Sequence, residues 1–148
     1  FLDADGELFA EAIKETPDII KPNDFELSQY FGLESVADEE KLIEMGQRLV
    51  SQGINTVCVS RGSKGALILQ EGRRIRVPGL NVKAHSAVGA GDAFVAAFSY
   101  GIDRGIGFEE CVRLAIATSA GAVMTVGTKP PSGQTVKMLM DKVKIQYF

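Results

Sequence analysis

From position 84 the chain reads Ala-His-Ser-Ala-Val-Gly-Ala-Gly-Asp-Ala-Phe-Val-Ala-Ala-Phe, so that Gly89-Ala90-Gly91-Asp92 sets three small residues and a carboxylate directly ahead of an apolar helical run. Small residues let the backbone come close to a ligand. At a helix start the free amide hydrogens point outward and the macrodipole adds positive potential. Together they can hold a phosphate, or the charge that builds on a phosphoryl group in transit. Asp92, in the first turn, can take a proton from an attacking hydroxyl. Phosphoryl transfer needs such parts: a charge cradle, a positioned base and a metal. The same four residues also read as an ordinary helix start, with Asp92 as a cap and the glycines there for tight packing. Other phosphate motifs do not fit. The third glycine of GxGxxG would fall on Phe94, and no GxxxxGK[ST] occurs.

The elements that must position this site follow from apolar spacing. Phe1 to Ala4 reads as the end of a strand, and Asp5 as the cap of a helix with Leu8, Phe9, Ala12 and Ile13 on one face. Asp18-Ile19-Ile20 is a short buried strand ended by Pro22, and Asp24 to Tyr30 is a short helix. Asp38 caps an amphipathic helix with Leu42, Met45 and Leu49 on one stripe and Gly53 as its stop signal. Thr56 to Val59 is a strand, residues 61–65 are a turn, and Ala66 to Leu69 returns as its hairpin partner. Arg74-Ile75-Arg76-Val77 alternates and predicts a half-exposed edge strand. After Gly91, the residues Phe94, Val95, Phe98 and Ile102 form a helical stripe. The run from Glu109 to Met124 is apolar or small nearly all round and predicts a helix buried on several sides, and a last helix covers about Gln134 to Asp141. Early strand–helix alternation means βαβ units, hence an α/β fold with a mainly parallel sheet, helices on both faces, and a β-hairpin or antiparallel edge. Ligands in such folds bind beyond the carboxyl ends of the strands, where Asp3, Asn23 and Ser60-Arg61-Gly62 fall.

Bulk properties narrow the function. The 148 residues suit one domain, and 45% hydrophobic with 24% charged residues is a globular composition. A net charge of −3 with no basic block argues against nucleic acid or an anionic membrane as partner. Cys58 and Cys111 lie in apolar segments, without the Cys/His spacing of a zinc site, and read as buried thiols of a cytoplasmic protein. No signal peptide or bilayer-length apolar run is present. The start at Phe1, without methionine, suggests part of a longer protein. His85, the single histidine, reads as solvated or structural.

The stretch Val88 to Phe98 resembles the C-terminal signature of the PfkB, or ribokinase-like, carbohydrate kinases. Lys21-Pro22-Asn23-Asp24-Phe25-Glu26-Leu27 is similar to that family's NxxE region. Val59-Ser60-Arg61-Gly62-Ser63-Lys64-Gly65-Ala66 is similar to its nucleotide-binding loop. The Lys-Pro-Asn form, the Ser86-Ala87-Val88 lead-in and the closing Val143-Lys144-Ile145-Gln146 look most like the 1-phosphofructokinase and tagatose-6-phosphate kinase branch. The resemblance covers essentially the whole chain but only about the C-terminal half of the family's length.

The resemblance implies a three-layer αβα ribokinase-like core and ATP-dependent phosphoryl transfer to a hydroxyl of a sugar phosphate, of the fructose 1-phosphate or tagatose 6-phosphate type. Alternatives are a kinase of this family for another sugar or a nucleoside, and a non-catalytic nucleotide-binding module. On this resemblance Asp92 is the catalytic base, and Gly89, Ala90 and Gly91 form the anion hole. Ser60, Arg61, Gly62, Ser63, Lys64 and Gly65, with Gly91, contact ATP, Arg61 or Lys64 adding charge. Asn23 and Glu26, three apart on one helical turn, address Mg2+ through water. They read equally as a capping box, and the loop as a plain hairpin turn. Adenine-pocket candidates lie along Ala117 to Val123 and near Gly127. Many family members carry Asp-Thr where this chain has Ser86-Ala87, which puts potassium activation in doubt. A homodimer of the full-length protein is a further expectation. Since the family's N-terminal half supplies most sugar contacts and the lid, residues 1–148 alone should show little or no kinase turnover, because transfer depends on holding two substrates in line and excluding water. A coupled ATP assay on these residues checks this, and normal turnover would overturn it.

Overall fold

The apolar periodicities resolve into six α-helices and five strands in the computed structural model, which describes residues 1–148. In chain order these are α1 (Gly6–Ile13), β1 (Ile19–Ile20), α2 (Asp24–Tyr30), α3 (Glu39–Ser51), β2 (Thr56–Ser60), β3 (Ala66–Gln70), β4 (Arg73–Val77), α4 (Ala90–Asp103), α5 (Phe108–Val123), α6 (Gly133–Met140) and β5 (Gln146–Tyr147). The chain divides into two compact units, residues 1–77 with 146–148, and residues 78–145. No helix is long and apolar enough to cross a membrane.

The first unit holds the sheet, ordered β1-β2-β3-β4-β5. β1 and β2 run parallel, while β2–β3, β3–β4 and β4–β5 pair antiparallel. The α/β class is as expected. Parallel pairing is confined to one end, extended there by bridges Leu2↔Ile20 and Asn23↔Ser60, and the antiparallel part is larger than one hairpin and an edge. One face of β2 and β3 carries Val57, Val59, Leu67 and Leu69 into a core with Leu42, Met45 and Leu49 of α3. The other face carries the cross-strand neighbours Cys58, Ile68 and Ile75, also buried. Strands buried on both faces read as continuous apolar runs rather than alternating ones, as these do.

Capping side chains set the helix starts. The Asp38 carboxylate accepts from the Lys41 amide at 2.8 Å and opens α3. Asn23 and Glu26 form a complete capping box on α2: the Glu26 amide donates to Asn23 Oδ1 at 2.8 Å, and the Asn23 amide donates to Glu26 Oε2 at 2.8 Å. Asp5 precedes α1 as expected, but makes no side-chain cap bond.

Three expectations need correction. Leu8 is 73% exposed, because the eight-residue α1 buries only the narrow stripe of Phe9 and Ile13. Ile102 is 49% exposed, and α4 instead buries Phe94, Ala97, Phe98 and Gly101. β4 is not an edge, because β5 pairs beyond it through Ile75↔Tyr147 and Arg76↔Gln146.

The second unit contains α4, α5 and α6. The rings of Phe94 and Phe98 stack at 5.7 Å, and Phe98 meets Phe108 edge-on at 6.0 Å. At Gly101 α4 lies close against α5: an added Cβ would lie 2.6 Å from Cys111 Sγ. Burial raises the pKa of both thiols, Cys58 to about 12 despite the opposing charge of Lys21, so both remain neutral packing groups at neutral pH.

Gly101→Ala is expected to destabilise the fold by about 1–3 kcal/mol through overpacking against Cys111, read as a lowered midpoint in urea unfolding. Asn23→Ala should cost about 1 kcal/mol by breaking the capping box, and Asn23→Asp should retain most of it. Equal midpoints for the two Asn23 variants would refute the cap's contribution.

Candidate active site

The start of α4 leaves its amides open. Gly89 occupies the N-cap position with φ +82°, a backbone conformation that costs glycine little and other L-residues more. No side chain closes the helix start. The Ala90 amide bends back to the Ala87 carbonyl at 3.3 Å, and Ala93 makes the first helical bond to Gly89 at 2.9 Å. The Gly91 and Asp92 amides have no acceptor in the chain. Gly89, Ala90 and Gly91 are half-buried and Asp92 is exposed, so the segment is open to a ligand rather than packed into the core.

This geometry bears on the capping reading of Asp92. It sits at the third helical position and forms no cap bond, so it is not an ordinary capping aspartate. Its carboxylate makes no hydrogen bond to the helix start. The preceding loop is fastened from behind: the His85 and Ser86 amides both donate to the Val123 carbonyl at the end of α5, at 2.6 and 3.3 Å. Ser86 Oγ accepts from the Val88 amide at 3.2 Å, so the lead-in serine shapes the turn that delivers Gly89. His85 is exposed, in line with the solvated reading.

In the first unit, two of the sequence motifs meet. The Ser60 amide donates to the Pro22 carbonyl at 3.0 Å, and Asn23 bridges Ser60 in parallel register. The NxxE segment and the head of the 60–65 loop therefore leave adjacent strand ends together. After Ser60, a 3-10 turn at Gly62–Lys64 carries the chain to Gly65 at φ +92°. Gly62, Ser63 and Lys64 are exposed.

Arg61 departs from the expectation that it adds charge for phosphates. Its guanidinium is ion-paired to Glu39, the first residue of α3, and its side chain is only 9% exposed. Arg76 pairs with the same carboxylate, its Nε donating to Glu39 Oε1 at 2.6 Å. Burial acts to raise the pKa of Glu39, but hydrogen bonds and charge from the two arginines outweigh it and hold it below the ordinary value. Lys64 is thus the loop's one water-facing cation. Asp3 is likewise engaged, by the buried Lys21 ammonium at 3.0 Å. Neither Glu39 nor the Asp3–Lys21 pair stood out in the sequence, since their partners lie on other elements.

For Mg2+, Asn23 Oδ1 and Glu26 Oε2 are occupied by the capping box, which leaves the second Glu26 oxygen for a ligand. No three His, Cys, Asp or Glu side chains cluster into a direct metal cage. A single carboxylate oxygen fits Mg2+ held mainly by water and substrate phosphates. Of the adenine-pocket candidates, Thr118 alone lines an open apolar groove of about 490 Å3, with Ala97, Leu114 and Val136 among its neighbours.

Comparison with known proteins accords with these motifs. Residues 1–134 match the pfkB family carbohydrate kinase. The chain is 32% identical over 146 residues to 1-phosphofructokinase of Bacillus subtilis (strain 168), covering 97% of this chain and 46% of the relative. It is 30% identical over 126 residues to D-tagatose-1-phosphate kinase of Bacillus licheniformis, covering 85% and 41%. Among solved structures, phosphofructokinase-2 from Escherichia coli in complex with substrates and products superposes with a TM-score of 0.84 at 29% identity, over 92% of this chain and 44% of that one. The chain thus spans about half the length of the curated relatives it matches. With the family matched over most of its length and the motif residues in place, the chain belongs to the pfkB family of carbohydrate kinases.

Proposed function

We propose that the protein transfers the γ-phosphoryl group of ATP to a hydroxyl of a sugar phosphate. The observation that carries this is the open start of α4, where unpaired amides at Gly91 and Asp92 lie beside a free carboxylate. Two relatives are named for ketohexose 1-phosphates, which favours a fructose 1-phosphate type acceptor, with tagatose 6-phosphate the second candidate to assay.

In the proposed step the Asp92 carboxylate accepts the proton of the acceptor hydroxyl. The hydroxyl oxygen forms a bond to the γ-phosphorus, and the bond to the β,γ-bridging oxygen breaks to release ADP. The open Gly91 and Asp92 amides, rather than the Ala90 amide that the Ala87 carbonyl occupies, stabilise the charge on the phosphoryl oxygens in the turn that Gly89 shapes. Being already oriented, they need no reorganisation as charge develops. The Gly62–Gly65 turn offers close backbone approach, the Ser60 and Ser63 hydroxyls suit ribose or phosphate oxygens, and Lys64 supplies a cation. Mg2+, held through water near Glu26, would neutralise phosphate charge. A pure nucleotide binder would gain nothing from the free carboxylate of Asp92, which speaks against a non-catalytic module.

In the full-length protein, Asp92→Asn should lower kcat by about 10²–10⁴-fold, the usual weight of a general base, with nucleotide affinity unchanged. Steady-state kinetics with fructose 1-phosphate and equilibrium ATP binding check this together. Turnover within a few-fold of the unmodified protein would remove Asp92 from the role.

A further inference from the structure

We propose that Glu39 is a positioning residue for the 61–65 loop, and that Arg61 is the loop's buried root rather than a ligand of the nucleotide. The inference rests on the nucleotide-loop reading given above and specifies how that loop is held.

Within the loop the backbone bonds are local. The Arg61 amide donates to the Gly65 carbonyl at 2.8 Å, Lys64 to Arg61 at 3.0 Å and Gly65 to Gly62 at 3.0 Å. None of these ties the loop to an element other than the hairpin it closes. The ion pair from Arg61 to Glu39 reaches beyond it. Glu39 accepts Arg61 on one carboxylate oxygen and Arg76 on the other, so one side chain joins the start of α3, the loop head and β4.

Topology explains why Glu39 can do this. Arg76 pairs with Leu67 across the sheet, on the face where α3 packs, so its guanidinium meets the first turn of that helix. Arg76 is braced in turn by the Phe148 ring, 4.5 Å from guanidinium carbon to ring centroid. Arg61 is turned inward: its side chain is only 9% exposed and its guanidinium is paired to Glu39.

Glu39→Gln removes the charge that holds both arginines and should release the loop. Two measurements read this. In the absence of nucleotide, and well below the unfolding midpoint, trypsin cleavage after Lys64 should quicken about tenfold, as loosening by one decade of local opening requires. In steady state of the full-length protein, KM for MgATP should rise about tenfold, with kcat and KM for the sugar phosphate within about twofold, the pattern of a lost positioning contact for one substrate. Glu39→Asp keeps the charge on a shorter arm and should give smaller shifts in the same directions; it carries the test if Glu39→Gln does not fold. A fall in KM for MgATP would mean that freed Arg61 binds phosphate, and would overturn the inference, as would unchanged cleavage. Failure of the unmodified protein to bind ATP would instead sink the nucleotide-loop reading, leaving the tether to be judged by proteolysis.

Discussion

An α-helix cannot satisfy its own first amides, and the candidate site depends on that deficit being left open at the start of α4. The starts of α2, α3 and α6 are closed by Asn23, Asp38 and Ser132, each accepting a backbone amide from three residues on. At α4 the hydroxyl that might have done so, on Ser86, is spent on the Val88 amide. Gly89 has no side chain to offer, and its left-handed backbone turns the chain so that the next amides face outward. What would be a fault in an ordinary helix is, on the proposed reading, a fixed, uncharged pair of hydrogen-bond donors for an anion.

The distribution of formal charge fits this. Two cations near the strand ends are neutralised internally, Lys21 by Asp3 and Arg61 by Glu39. Both side chains are nearly withdrawn from water, where an unpaired charge would be costly. Of the 61–65 loop's cations only Lys64 faces water, in a chain whose net charge is −3. Backbone dipoles do not titrate and require no side-chain ordering, so they provide specificity for a phosphoryl group without the long-range attraction that a basic patch would extend to any polyanion.

The local parts of this arrangement were legible in the sequence, and the non-local parts were not. α2 spans Asp24–Tyr30 as expected, and α3 follows Asp38 with Leu42, Met45 and Leu49 inward, because capping and apolar spacing act within a few residues. The Gly89–Asp92 start was visible for the same reason. Glu39 was not, since its partners lie 22 and 37 positions away and meet it only once β4 has found its register. The pairing of β5 with β4 was missed because two exposed residues, Gln146 and Tyr147, carry no apolar alternation to announce a strand. Leu8 and Ile102 were misplaced because periodicity gives a stripe its direction but not its width, and width depends on how many neighbours cover it.

The Asn23–Glu26 box shows why structural and chemical readings of one motif need not compete. Parallel pairing of β1 with β2 sends both chains out at the same end, and the Asn23↔Ser60 bridge fixes which residues emerge together. Asn23 then caps α2, and the return bond from its own amide holds Glu26 Oε2 at 2.8 Å. A free glutamate would lose rotamer entropy on meeting a ligand; this one is already ordered by the cap, with its other oxygen unused. The capping bond therefore lowers the cost of presenting a carboxylate beside the 60–65 loop. A residue that only capped would serve equally well as glutamine, whereas a residue that also meets hydrated Mg2+ needs the charge.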